Sequence, residues 1–243
     1  MIFRTFPFLV LLACSPFSWA QAPIEGYTFQ EVAGFGVYVQ DSAVIQDAEL
    51  VAEALELLET KLTEINGFCL SADRKAALQA VPIFMDWATT EGAAVYHPNP
   101  DWLRENGYIP EKARSVEISN VRHFIDWTAQ NQPYMVLHEL AHAYHHRVHG
   151  FAHTGITAAF ASVQEASQYQ QVNYHSGGES YFIQDRAYAL NNEREYFAEL
   201  TEAFFGRNDY YPFHATELAE YDPKGYAVLK EVWGFDPAEA CIE

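Results

Sequence analysis

Residues Pro133 to His149 read P-Y-M-V-L-H-E-L-A-H-A-Y-H-H-R-V-H, and this stretch decides the fold. Apolar residues recur through it at helical spacing, and after Pro133 neither Gly nor Pro occurs before Gly150. This pattern predicts a helix. His138 and His142 lie four residues apart, so the predicted helix carries both imidazoles on one face.

The segment His138-Glu139-Leu140-Ala141-His142 has the form H-E-x-x-H. Each His can give one imidazole nitrogen to a single metal ion at about 2.0–2.1 Å. Glu139 is one residue further along the helix than His138, so its carboxylate is poorly placed to bind the same metal ion. It borders the coordination position that a water would occupy and can take a proton from that water. This arrangement suits hydrolysis of an amide bond. A surface helix rich in His and Glu would show the same letters, and a third ligand downstream favours the metal site.

A catalytic zinc site has a third protein ligand and one open position. In the pattern H-E-x-x-H-x-x-G-x-x-H, the Gly and the third His would fall on His145 and Val148, so this pattern is excluded. A di-iron bundle would use Glu139 and His142 as one of two E-x-x-H pairs, and the chain has no second pair. The remaining ligand type is a glutamate on a later helix.

The sequence predicts such a helix over Asn192 to Phe205, which begins N-E-R-E-Y-F-A-E. Glu195 and Glu199 are four residues apart and share a face, with Glu202 near it. One carboxylate can bind the metal while the next hydrogen-bonds a ligand imidazole and fixes its tautomer. We interpret Glu193 and Glu202 as part of a solvated acidic face, but not Glu195.

H-E-L-A-H followed by Y-A-L-N-N-E-R-E-Y-F-A-E resembles the gluzincin zinc peptidases, in particular the catalytic domain of anthrax lethal factor and related exported proteins. The resemblance covers residues 133–213, about a third of the chain. It implies a zincin-like fold and a bound Zn²⁺, and it is silent about the substrate. The zinc ligands it implies are His138, His142 and Glu195.

The same resemblance gives roles to three further residues. It implies that Glu139 is the general base and that Glu199 is the carboxylate behind the ligands. Tyr188, seven residues before Glu195, matches the phenol that stabilises the oxyanion or the leaving group. A phenol near zinc can donate a hydrogen bond to the tetrahedral oxyanion, which supports this assignment independently.

The first 20 residues have the pattern of a secretory signal peptide. Arg4 precedes the apolar run Phe6 to Ala13, and Ser18-Trp19-Ala20 is a small-x-small cleavage pattern. The run is too short to span a membrane. We therefore predict cleavage of residues 1–20 and export of a single catalytic domain over residues 21–243. The alternative is lipoprotein processing, which would leave a lipid-anchored Cys14.

Cysteine usage and charge give two further expectations. Cys69 and Cys241 would remain after processing, and in an exported chain they predict one disulfide, with two unpaired thiols as the alternative. The formal net charge of −19 becomes about −20 when Arg4 is removed with the leader. Such a chain repels nucleic acid and anionic membranes, so we expect a peptide or protein substrate as the partner.

Helical patterns exceed strand patterns, which predicts an α+β domain that is mainly helical with a small mixed sheet. An amphipathic helix is predicted over Gln46 to Asn66 and a strand over Phe35 to Gln40. Glu91 to Pro110 is rich in Gly, Pro and Asn and is predicted to be an ordered loop. Val116 to Ile118 precedes the metal helix and is predicted to be the edge strand that holds the substrate backbone.

His145, His146 and His149 extend the metal helix. We interpret them as helix-terminal histidines stabilised by the helix dipole and the acidic surroundings. The alternative is a cleft lined with imidazoles that holds a second metal ion.

The leading prediction is a secreted zinc metallopeptidase that uses Glu139 as general base. One alternative is an exported zinc-binding or interaction protein on a peptidase scaffold without turnover. Another is a hydrolase of cell-wall amide cross-links, which would use the same chemistry.

Overall fold

A computed structural model describes residues 23–177 and 186–238, together with the backbone of 181–184. These residues form an α+β fold with ten α-helices, a five-stranded mixed sheet and a two-stranded ribbon. The predicted signal peptide, Cys14 and Cys241 lie outside the described residues. Cys69 is disulfide-bonded. No helix in the described ranges is long and apolar enough to cross a membrane.

The five-stranded sheet has the spatial order β1-β2-β3-β5-β4. Its first two strands form an antiparallel hairpin, β2, β3 and β5 run parallel, and β4 pairs antiparallel with β5. The strands are β1 (Tyr27–Val32), β2 (Phe35–Gln40), β3 (Ile83–Met85), β4 (Ala94–Tyr96) and β5 (Val116–Ile118). The separate antiparallel ribbon consists of β6 (Val172–His175) and β7 (Tyr181–Gln184).

The described residues contain ten α-helices. They are α1 (Asp41–Gln46), α2 (Ala48–Asn66), α3 (Ala72–Gln79), α4 (Pro100–Glu105), α5 (Val121–Gln130), α6 (Met135–His149), α7 (Thr154–Glu165), α8 (Glu193–Phe205), α9 (Ala215–Tyr221) and α10 (Pro223–Trp233). Two short 3₁₀ turns cover Pro110–Lys112 and Tyr188–Leu190. The buried apolar core lies between the sheet and the helices α2, α6 and α8.

The predicted elements next to the core are confirmed with small shifts. The strand Phe35–Gln40 has the predicted bounds. The long amphipathic helix begins at Ala48 because Asp47 caps it, its side chain accepting a hydrogen bond from the Leu50 N–H at 3.0 Å. Leu58 and Leu62 on its apolar stripe are fully buried.

Two predictions about the segment near the site are wrong. Residues 91–110 are not all loop, because they contain β4 and α4. Asn99 caps α4 and Pro100 occupies its first turn, a combination that favours a helix start. The edge strand that contacts α6 is β4 rather than Val116–Ile118, which lies between β3 and β4, and the other edge strand is β1. Three-residue strands carry too little pattern to reveal their order in a sheet.

A buried ionic cluster lies on the sheet face opposite the core. Lys112 is only 2% exposed, and its ammonium donates to Asp86 and, at 2.8 Å, to Glu117. Glu117 also hydrogen-bonds His97. Burial would raise the pKa of Glu117, but His97 and Lys112 outweigh it and lower that pKa to about 2. The cluster joins β3, β5 and the end of β4.

We expect Lys112→Met to lower the free energy of unfolding by about 3–5 kcal/mol, because it leaves two buried carboxylates without their cation. Urea denaturation followed by circular dichroism measures this loss. Lys224→Met is the matched control, because the Lys224 ammonium lies at an exposed site and donates to Ser162. Its effect should stay within about 0.5 kcal/mol. Equal losses in the two variants would contradict the prediction.

Candidate metal centre

The H-E-x-x-H segment lies inside α6, as the sequence predicts. This helix ends at Gly150, whose φ of 63° places it in the left-handed region that favours glycine after a helix. Helices α6 and α8 pack directly against each other. Their contact brings the two histidine side chains of α6 against the first turn of α8.

The predicted ligand atoms meet at one point. His138 Nε2 and His142 Nε2 are 3.1 Å apart, and they lie 3.2 Å and 3.0 Å from Glu195 Oε2. Tetrahedral ligands at about 2.0–2.1 Å from one ion are about 3.3–3.4 Å apart. Two imidazole nitrogens and one carboxylate oxygen at these separations therefore fit a single divalent metal ion, and they form one of the groups in the described residues that could hold one.

The start of α8 fixes the position of Glu195. Asn192 caps this helix, and its side-chain oxygen accepts hydrogen bonds from the N–H groups of Arg194 at 2.9 Å and Glu195 at 3.1 Å. Burial would raise the pKa of the Glu195 carboxyl, but hydrogen bonds from His138 and His142 hold it well below its usual range. The carboxylate is thus ionised, as a metal ligand must be.

The carboxylate behind the ligands is Glu202 rather than Glu199. His138 Nδ1 lies 2.7 Å from Glu202 Oε1 but 3.8 Å from Glu199 Oε1. The interpretation of Glu202 as part of a solvated face is wrong, because its side chain is buried. A signal was present in the sequence: at 100° per residue, positions seven apart on a helix differ by only about 20°, so Glu202 shares the face of Glu195.

Glu202→Ala should weaken zinc binding by about 10- to 100-fold, because the His138 ring then loses the acceptor that holds its orientation and tautomer. Competition with a chromophoric chelator measures the zinc dissociation constant. Glu199→Ala is the matched control, since it removes a buried carboxylate of the same size from the same helix. If Glu199→Ala weakened zinc binding more than Glu202→Ala, Glu199 would be the carboxylate behind the ligands, as the sequence predicts.

Glu139 and Tyr188 both line the space beside His138. Glu139 is buried and borders two cavities, of about 290 Å³ and about 200 Å³, that share His138 in their lining. Tyr188 lines both cavities, is 46% exposed, and has its ring centroid 6.4 Å from that of His138. Burial, and then the charge of Glu195, raises the pKa of the Tyr188 phenol. The phenol is therefore a hydrogen-bond donor at neutral pH.

The interpretation of the additional histidines as dipole-stabilised is wrong for His145. Its ring is buried between Phe151 and Phe197, with centroids 5.1 Å from each, and burial lowers its pKa to about 3. His146 accepts or donates a 2.9 Å hydrogen bond with Tyr96. Neither residue, nor His149, belongs to a three-donor metal group within the described residues.

Comparisons of the chain with protein-family models, with curated proteins and with solved structures found no match. The geometry of this site and the two sequence motifs are therefore what indicate a function.

Proposed function

We propose that this protein is an exported zinc-dependent peptidase with a zincin-like catalytic domain. The observation that carries the proposal is the convergence of His138, His142 and Glu195, with the Glu139 carboxylate beside them. A protein that only binds zinc does not need a buried carboxylate beside the coordination position that the three ligands leave open. The donor set of two imidazoles and one carboxylate is one that catalytic zinc sites use.

Zinc, when bound, supplies Lewis acidity toward a water and toward the carbonyl of the scissile bond. Glu139 takes the proton of the attacking water and passes it to the leaving amine. Glu139 lines both cavities beside His138, which supports this role. Tyr188 lies on the rim of both cavities and donates a hydrogen bond to the developing oxyanion.

The edge strand β4 supports a peptide as substrate. Ser119 N–H donates to Ala93 and His97 N–H donates to Ser115, each at 3.0 Å, and Val95 is in register with Glu117. Every second residue therefore bonds β5, which leaves the backbone groups of Ala94 and Tyr96 directed away from it. In the described residues no strand lies on that side.

This open edge borders the ligand group. Ala94 and Tyr96 line the 200 Å³ cavity together with His138, Glu139 and His142. An extended peptide that adds to β4 as a further strand is thus led past the ligands. Backbone pairing of this kind positions a substrate without fixing its sequence.

The test is a digest of a peptide library with zinc-loaded protein and with the same protein after metal removal. We expect new peptide termini only in the zinc-loaded sample, read by mass spectrometry. Return of cleavage on adding zinc to the metal-free sample is the control. Absence of cleavage in both samples, or equal cleavage in both, would contradict the proposed function.

A further inference from the structure

The larger of the two cavities is strongly acidic. It has a volume of about 290 Å³ and lies between α6, α8 and the segment 208–210, directly beside His138. Four carboxylates line it, and its lining contains neither lysine nor arginine. The four are Glu139, Glu199, Glu202 and Asp209.

These carboxylates are not a solvated face. Their residues are 9%, 4%, 5% and 5% exposed, respectively. Asp209 accepts hydrogen bonds from Asn131 and Gln132, both at 3.4 Å, and Glu199 accepts one from Asn208 at 3.2 Å. These donors are neutral amides. Among the described residues, Glu199 and Glu202 form ion pairs only with His138, and Asp209 forms none.

A second observation at this cavity is the unpartnered carboxylate of Glu139, which also lines the 200 Å³ cavity. Its side chain is nine-tenths buried and lines the cavity, yet it takes part in no hydrogen bond with the described residues. A buried carboxylate without a donor costs free energy unless a ligand or solvent supplies one. The cavity therefore offers an unsatisfied carboxylate beside three further acidic side chains.

The 200 Å³ cavity is less acidic. It is lined by Glu139 and Glu195 together with Arg194, whose guanidinium lies 4.2 Å from the centroid of the Phe151 ring. The 290 Å³ cavity has four carboxylates and neither lysine nor arginine in its lining, so it is the more favourable of the two places for a basic side chain.

We infer that the acidic cavity binds the side chain of a lysine or arginine next to the scissile bond, an inference that rests on the proposed peptidase function. Trp127 and Met135 in the lining offer apolar surface to the methylene stem. The charged head lies among Asp209, Glu199 and Glu202. The substrate class is therefore a peptide with a basic residue beside the bond that is cut.

The experiment uses blocked hexapeptides of alanine with one central residue changed to lysine, norleucine or glutamate. Norleucine keeps the stem of lysine and removes its charge. We expect zinc-loaded wild-type protein to cleave beside lysine with a kcat/KM about 10- to 100-fold higher than beside norleucine, and slowest beside glutamate. Mass spectrometry of the products locates the cut bond.

Asp209→Asn should reduce the lysine-to-norleucine ratio of kcat/KM by at least about fivefold. Asp126→Asn is the matched control, because Asp126 is exposed on α5 and does not line the cavity. This control should keep the wild-type ratio. If Asp209→Asn does not fold, the lysine-to-norleucine ratio of kcat/KM in the wild-type protein tests the inference by itself.

Cleavage without a preference for lysine, or with a preference for norleucine, would overturn the inference and leave the proposed function standing. If no peptide is cleaved, the proposed function fails. Calorimetric titration of wild-type protein with the intact peptides then tests whether the cavity binds a basic side chain. Tighter binding of the lysine peptide by about tenfold or more would support the cavity assignment. Equal binding, or uptake of a second zinc ion by the carboxylates, would overturn it.

Discussion

Glu139→Gln should lower kcat/KM for peptide hydrolysis by about 10²- to 10⁴-fold while zinc content stays near that of the wild type. Glutamine has nearly the shape of glutamate but cannot take a proton from water. The three proposed ligands are on other residues, and their donor atoms lie 3.0–3.2 Å from one another without any part played by Glu139. The variant thus separates the loss of a base from the loss of the metal.

Steady-state kinetics on the best library peptide, together with elemental analysis of the same protein preparation, measure both quantities. Glu53→Gln, on the exposed face of α2, is the control for the loss of one carboxylate elsewhere. Unchanged turnover in Glu139→Gln would remove Glu139 from the mechanism. Zinc uptake by a wild-type protein that cleaves no library peptide would favour the alternative of a zinc-binding protein without turnover.

Glu195→Ala should weaken zinc binding by more than about 100-fold. Loss of a group behind the ligands costs about 10- to 100-fold in metal affinity, and loss of a direct ligand should cost more. His138 and His142 would remain as two neutral donors, so the site would also lose its only negatively charged ligand. Hydrolysis should fall in parallel at limiting zinc.

Chelator competition gives the zinc dissociation constants of wild type and variant. Glu193→Ala is the matched control, because Glu193 lies two residues earlier in the same turn of α8 and outside both cavities. We expect its zinc affinity to match that of the wild type. Equal zinc affinity in Glu195→Ala and wild type would mean that the third ligand is wrong, and with it the resemblance to the gluzincins.

The two histidines and the start of α8 could be predicted from sequence because they depend on local periodicity and capping, whereas the contact of α6 with α8 that joins them does not. An i, i+4 spacing on α6 places two imidazoles on one face whatever surrounds the helix. The Asn192 cap and the turn that follows it place Glu195 at the start of α8 by local hydrogen bonds. Residues fixed in this way can be read from the sequence before any packing is known.

The errors occurred where two elements far apart in sequence meet. Whether Glu199 or Glu202 contacts His138 depends on the angle at which α8 crosses α6. The burial of His145 depends on Phe197, which comes from α8 as well. The place of Val116–Ile118 inside the sheet depends on pairing with Ala94–Tyr96, a strand too short for a period-two pattern.

The sequence by itself determined the helical segments, the α+β class, the convergent histidines and the acidic balance of the chain, because these follow from local spacing and composition. Only the tertiary structure decided which carboxylates surround His138, which strand forms the open edge, and that four acids enclose one cavity beside the ligands. Those features come from contacts between distant segments. The free energy of such contacts depends on packing geometry and burial, which no single segment encodes.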